Sequence, residues 1–244
     1  YLENRLSTSA GLRIDMHNLN LTTINPLAQA SPRLSAQYHI NSDWAIQGNL
    51  GRYSQLPPAI TILANSANNW SRNSYAGIVN QAATGIEFQN GETYRFSLEG
   101  YYKSYSNMPY LWDDNMSFSQ AIGAYVAVGD QVSSSQAEGR SYGLELFLQQ
   151  KLKGTYWWTM SYNYGHSETR LNSSQEWTPT VWDIRHNVNL VLGKVWGKGW
   201  QIGAKYRWAT GTPYTPFDSE QSALVNNWDV LQRGIFDINN VMTA

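Results

Sequence analysis

The sequence Trp-Asp-Ile-Arg-His places Asp183, Arg185 and His186 within four positions. Those groups could relay a proton or contribute to a metal site. They equally suit the start of a strand, where polar groups pair with one another at a rim, and the sequence favours that reading. His166 and Glu168, two positions apart, are placed in a loop, where so small a pair rarely holds a metal. Asp113 and Asp114 could bind Ca²⁺ through carboxylate oxygens, although a solvated acidic loop tip is the simpler expectation. No Gly-x-Ser-x-Gly elbow, phosphate loop or defined carboxylate pair occurs. Catalytic residues, metal ligands and cofactors are therefore expected to be absent. What remains is a set of loop aromatics: Trp70, Tyr75, Tyr110, Trp112 and Trp177. Such rings stack on a sugar or on the rings of a ligand, or pack loop against loop.

The elements that would carry these residues follow a period of two. In TYWWTMSYNYG, one set is Tyr156, Trp158, Met160, Tyr162 and Tyr164; the other is Thr155, Trp157, Thr159, Ser161 and Asn163. Successive strand side chains point to opposite faces, so this is a strand with one apolar and one mostly polar face. Rings gather at both ends of the apolar face with Met160 between them, as at two lipid–water interfaces. Tyr156 and Trp158 are expected at the periplasmic side, Tyr162 and Tyr164 at the outer one.

About nine strands repeat the pattern. They centre on residues 6–15, 33–40, 44–51, 82–89, 93–103, 141–149, 155–164, 187–192 and 200–208. Arg13, Asp15, Arg33, Glu87, Arg95, Glu99, Lys103, Glu145, Lys205 and Arg207 all fall on the polar face. On the apolar face only Arg52 and Lys194 appear, near strand ends where long side chains can snorkel. A charge at the lipid midplane of a barrel costs roughly 2–4 kcal/mol. A soluble sandwich would alternate in the same way, so connection lengths carry more weight. Short turns at Asn41, Asn90, Lys151 and Gly197 alternate with long links over about 16–31, 54–81, 105–138, 165–184 and everything after Ala209. Short turns at one end and long loops at the other are the habit of outer-membrane barrels.

Composition agrees. Charged residues make up 14% of the 244, against roughly 25% in soluble domains, and aromatics another 14%. The longest apolar run, Ala121–Gly129, is far below the roughly 20 residues of a spanning helix. A net charge of -1 gives no case for nucleic acid. Cysteine is absent, which removes disulfides and thiolate metal sites. No signal peptide opens the chain, so a mature protein or an internal piece of one is expected.

The segments Ser31–Pro57, Gly139–Lys151, Trp182–Trp208 and Gly211–Pro216 resemble, in order and spacing, the barrel domain of TonB-dependent outer-membrane receptors, particularly those of Bacteroidetes-like bacteria. The resemblance implies an all-β chain, an antiparallel transmembrane β-barrel segment contributing about nine strands to a larger, 22-stranded barrel. Residues 1–244 would be part of that domain, with the plug and final strands lying outside them. It implies an outer-membrane receptor and active transporter for a scarce nutrient: siderophore-iron, a vitamin, haem or a glycan. Outer-membrane lipid, the TonB complex reached through an N-terminal part, and a small-molecule or oligosaccharide ligand would be its partners. A passive porin, or less readily a barrel-based hydrolase, is the alternative; the hydrolase would need a nucleophile and base that the sequence does not offer.

Overall fold

The computed structural model describes residues 5–18, 23–67, 74–112, 116–121, 132–171, 175–197, 199–228, 234–235 and 237. The chain opens with β1 (Leu6–Arg13), a short 3-10 turn at Pro26–Gln29, β2 (Ser31–His39), β3 (Trp44–Gln55) and α1 (Ala59–Ala67). There follow β4 (Gly77–Asn90), β5 (Tyr94–Leu111), the two-residue β6 (Met116–Ser117) and α2 (Phe118–Ala121). Then come β7 (Ser133–Lys153), β8 (Tyr156–Arg170), the two-residue β9 (Thr178–Pro179), β10 (His186–Trp196) and β11 (Trp200–Ala209). All form one antiparallel sheet in the order β1-β2-β3-β4-β5-β7-β8-β10-β11, with β6 on β5 and β9 on β8. The nine long strands are those the alternation predicts. The sheet does not close on itself: β1 and β11 are its two edges.

Register turns nine separate alternations into two continuous faces. One row of paired residues crosses every long strand: Leu6, Tyr38, Ile46, Ile86, Leu98, Leu146, Tyr162, Val188 and Trp208. It holds no charge and no small polar group. The next row, one residue along, reads Ser7, Gln37, Gln47, Gly85, Glu99, Glu145, Asn163, Asn187 and Ala209. A slip of one residue in any pairing would put polar groups into the apolar row, so each face fixes the register of the other.

The four hairpin turns share one end of the sheet, as their sequences predict. Asn41 caps the first, its Oδ1 accepting from the N–H groups of Asp43 and Trp44, both at 2.9 Å. Gly91 (φ 54°) and Gly154 (φ 66°) take the left-handed backbone that tight turns demand and that side chains resist.

The opposite end differs from the sequence expectation in one respect. The links over 54–81, 105–138 and 165–184 are not structureless: α1, β6, α2 and β9 lie within them, and β4, β5, β7 and β8 run into them. β7, at 21 residues, spans about 70 Å at roughly 3.4 Å per residue, well past the roughly 25 Å apolar band of a barrel. The apolar-polar alternation stops where both faces are wet, so periodicity misses these extensions. Cross-strand pairing carries them on, through register shifts around Asn107 (φ 58°).

The core sits at this loop end. An open sheet has no interior, and Leu6, Leu34, Leu50 and Leu144 are all at least half exposed. The buried side chains cluster instead around Tyr110, Leu111, Met116, Ala121 and Ala137, together with Asn65, Gln120, Ser133 and Asp183.

Candidate functional site

Buried polar side chains fasten the long links to one another. Asn65, on α1, is 1% exposed. Its Nδ2 donates to the Ser133 carbonyl at 2.8 Å and to Ser74 Oγ at 2.7 Å, while its Oδ1 accepts from the Ser133 N–H at 2.7 Å. The Gln120 Oε1, on α2, accepts from the Ser117 N–H at 3.0 Å, and its Nε2 donates to Thr178 Oγ1 at 2.8 Å. Three links are thereby held as a single packed rim over β5, β7 and β8. Buried amides that use both donor and acceptor make a rigid support.

The Trp-Asp-Ile-Arg-His segment belongs to this rim. Asp183 is 3% exposed. One of its oxygens accepts the Ser167 N–H at 2.8 Å; the other takes the Arg185 Nε at 2.8 Å. Arg185 also contacts both ring nitrogens of His166. This is a pairing arrangement at a rim. His166 and Glu168, expected in a loop, lie within β8. There the Arg140 Nε donates to Glu168 Oε2 at 2.6 Å. Among the described residues, no group of three or more His, Cys, Asp or Glu is arranged to hold a metal ion.

The two histidines join a band on the apolar face. Tyr142 stacks on His166 at 4.8 Å, and the Tyr164 hydroxyl meets His166 Nε2 at 2.8 Å. The Tyr162 hydroxyl meets His186 Nδ1 at 2.8 Å, and the His186 ring lies 6.3 Å from Trp208. Tyr102 extends the band, 6.4 Å from Tyr142. Tyr142, Tyr162 and Tyr164 keep their hydroxyls in contact with a histidine while their bodies stay on the apolar face, as interfacial aromatics do.

The five loop aromatics fall in different settings. Trp112 is 42% exposed and stands edge-on to Tyr110 at 5.3 Å. Tyr110 itself is 4% exposed, and burial pushes its hydroxyl above the ordinary phenol pKa. Tyr75 is half-buried; its N–H donates to Ser135 Oγ at 2.9 Å. Two guanidiniums lie over the Trp177 ring, Arg140 at 4.4 Å and Arg170 at 4.2 Å, and both are held by glutamates, Glu168 and Glu138. Trp70 lies outside the described residues, as do Asp113 and Asp114. The structure therefore brings Tyr110 and Trp112 together and keeps Tyr75 and Trp177 in surroundings of their own.

Sequence reasoning passed over one feature of the loop end. A hollow of about 390 Å³ is lined by Leu56, Pro57, Tyr105, Met108, Phe118 and Trp182. The apolar Leu-Pro-Pro and Met-Pro pairs inside nominal loops were its only signal.

An antiparallel meander with one face nearly free of charge, tight turns at one end and packed loops at the other defines a segment of barrel wall. A family model, TonB dependent receptor-like, beta-barrel, matches residues 1–235, and the chain belongs to that family. Solved structures of similar fold include the FrpB iron transporter from Neisseria meningitidis, with TM-score 0.60, 9% identity, and coverage of 96% of this chain and 34% of that one. The copper transporter OprC matches with TM-score 0.57, 16% identity, and 84% and 32% coverage. The ferric-catecholate import receptor Fiu from E. coli matches with TM-score 0.56, 12% identity, and 84% and 32% coverage. The chain thus spans about a third of the length of these structures. No curated protein matches it in sequence.

Proposed function

We propose that this chain is barrel wall from an outer-membrane receptor that actively takes up a scarce nutrient, with energy delivered by TonB. The observation that carries the reading is the uncharged row from Leu6 to Trp208, unbroken across nine strands. No soluble surface needs such a row, whereas a lipid-facing one does. The polar face, with Glu99, Glu145, Lys103 and Arg207, then lines a wet lumen, and the fastened loops form its outer mouth. Membership of a receptor family, and neighbours whose own names describe iron, ferric-catecholate and copper transport, support uptake of a chelated metal over uptake of a glycan. Trp112 is the loop ring best placed to meet such a ligand, since it is exposed and Tyr110 packs against it in a T-shaped pair.

The chain lacks cysteine, which makes the test direct. Single cysteines at Leu146 and Glu145 of the intact receptor should differ in living cells. A membrane-impermeant maleimide that enters the lumen should label position 145 and leave position 146 unlabelled. Equal labelling of the two would remove the lipid-facing assignment. Uptake of radiolabelled ferric siderophores should stop when the proton-motive force is collapsed; uptake that continues would make the barrel a passive pore.

A further inference from the structure

The apolar face carries two cations at opposite ends of the strands, and the fold treats them differently. Lys194, at the turn end, is covered by rings: its Nζ lies 4.7 Å from the centre of Tyr156 and 4.9 Å from that of Trp196. Arg52, at the loop end of β3, is exposed. Among the described residues its side chain has no ion pair, hydrogen bond or ring contact. Its row continues through Asn80 and Ser104 to Arg140 and Glu168, so no acid lies between Arg52 and an arginine that already has one.

Below Arg52 the face is hollowed. The row Leu34, Leu50, Ala82, Tyr102, Tyr142 is followed by Ala36, Gly48, Thr84, Gly100, Leu144. The small residues Ala82, Thr84 and Gly100 floor a trough of about 620 Å³, walled by Leu50 on one side and by Tyr102, Leu144 and Tyr164 on the other. A second hollow, of about 380 Å³, adjoins it at Leu50 and is bordered by Arg52 and Asn80. Apolar depression and unpaired cation are therefore continuous.

We propose that this surface holds one phosphate-bearing lipid, its headgroup on Arg52 and an acyl chain in the trough; the inference rests on the lipid-facing reading above. A guanidinium binds phosphate through two parallel N–H···O bonds, with the Asn80 amide and Ser104 hydroxyl beside it as further donors. A free phosphate would leave the trough unexplained. A chain without a headgroup would leave Arg52 unpaired at the edge of hydrocarbon. The lipid satisfies both at once and seats its phosphate two residues along the strands beyond the ring band of Tyr102 and Tyr142, beside the level where headgroups meet acyl chains.

The test is native mass spectrometry of the intact receptor, released from detergent after incubation with phosphatidylglycerol, with diacylglycerol, or with phosphatidylglycerol plus excess inorganic phosphate. Phosphatidylglycerol should be retained about tenfold more than diacylglycerol, and inorganic phosphate should not displace it. Arg52→Gln should lower retention about tenfold, Arg52→Lys less, and Lys194→Gln not at all. Gly100→Leu should also lower retention by filling the trough; a Cβ there meets Leu144 Cδ2 at 3.4 Å and the Gly143 carbonyl oxygen at 3.9 Å, both ordinary contact distances, so the backbone accepts it. Equal retention by Arg52→Gln and the native receptor, or full displacement by inorganic phosphate, would overturn the proposal. Heat-modifiable migration of each variant on gels separates the two failures. An inserted barrel without Arg52-dependent lipid sinks this inference alone, whereas a chain that never forms a heat-modifiable barrel sinks the lipid-facing reading.

Discussion

The Asn65 side chain closes a ring with the backbone of Ser133, donating to its carbonyl at 2.8 Å and accepting from its N–H at 2.7 Å. A helix between β3 and β4 thus supplies the hydrogen bonds that a neighbouring strand would have given the first residue of β7. Sixty-eight positions of sequence separate the two partners.

Asn65→Ala leaves that carbonyl and N–H unpaired in a buried place, at about 1–3 kcal/mol for each group. The expected result is local. Amide exchange at Ser133–Ser135 should accelerate strongly while the lower half of β7, from Tyr142 to Lys153, keeps its protection. Uniform acceleration along β7 would mean that the ring does not set the stability of the rim.

Met160 pairs with Leu148 and Leu190 on the apolar face, whereas Thr159 pairs with Gln149 and Val191 on the other. Met160→Arg should therefore cost roughly 2–4 kcal/mol in lipid and impair assembly, whereas Thr159→Arg should be tolerated. Folding yield into lipid vesicles, read by heat-modifiability, distinguishes them. Equal tolerance would mean that the faces are assigned the wrong way round.

Glycine positions on the polar face should differ in severity. A Cβ at Gly143 would sit 2.2 Å from the Tyr164 carbonyl oxygen, which is backbone and cannot yield. At Gly193 it would meet the Trp157 ring at 2.3 Å, and that ring can rotate away. Gly143→Ala should thus destabilise more than Gly193→Ala, the latter by about 1–3 kcal/mol. Trp157→Ala should erase most of the Gly193→Ala penalty in a double-mutant cycle, measured by urea unfolding in vesicles. Strict additivity would show that ring and glycine do not interact.

Asp183 holds both the Ser167 N–H and Arg185. Asp183→Ala strands that N–H and should destabilise the rim by about 1–3 kcal/mol. Asp183→Asn, which keeps an oxygen for Ser167, should recover about half. Proteolytic nicking between Arg170 and Arg185 on intact cells reports the order native, Asn, Ala. Identical nicking rates would count against the role assigned to Asp183.

The strands, their faces and their turns are legible in the chain's residue order, because these depend on local geometry. A period of two sends neighbouring side chains to opposite faces whatever the chain does elsewhere. Asn41, Gly91 and Gly154 impose tight turns from within a few residues. Nine long strands, a face almost free of charge and the alternation of short and long connections were all legible in this way. How far the strands run and what their upper parts meet depends on long-range pairing. His166 reads as a loop residue because the polar positions around it break the alternation; pairing with Tyr142 keeps it in β8. Trp177 reads as a free ring, yet two arginines from neighbouring strands lie over it. Nothing near Asn65 in sequence announces Ser133. Such contacts join residues tens of positions apart, and their strength comes from burial and from partners that no local pattern encodes.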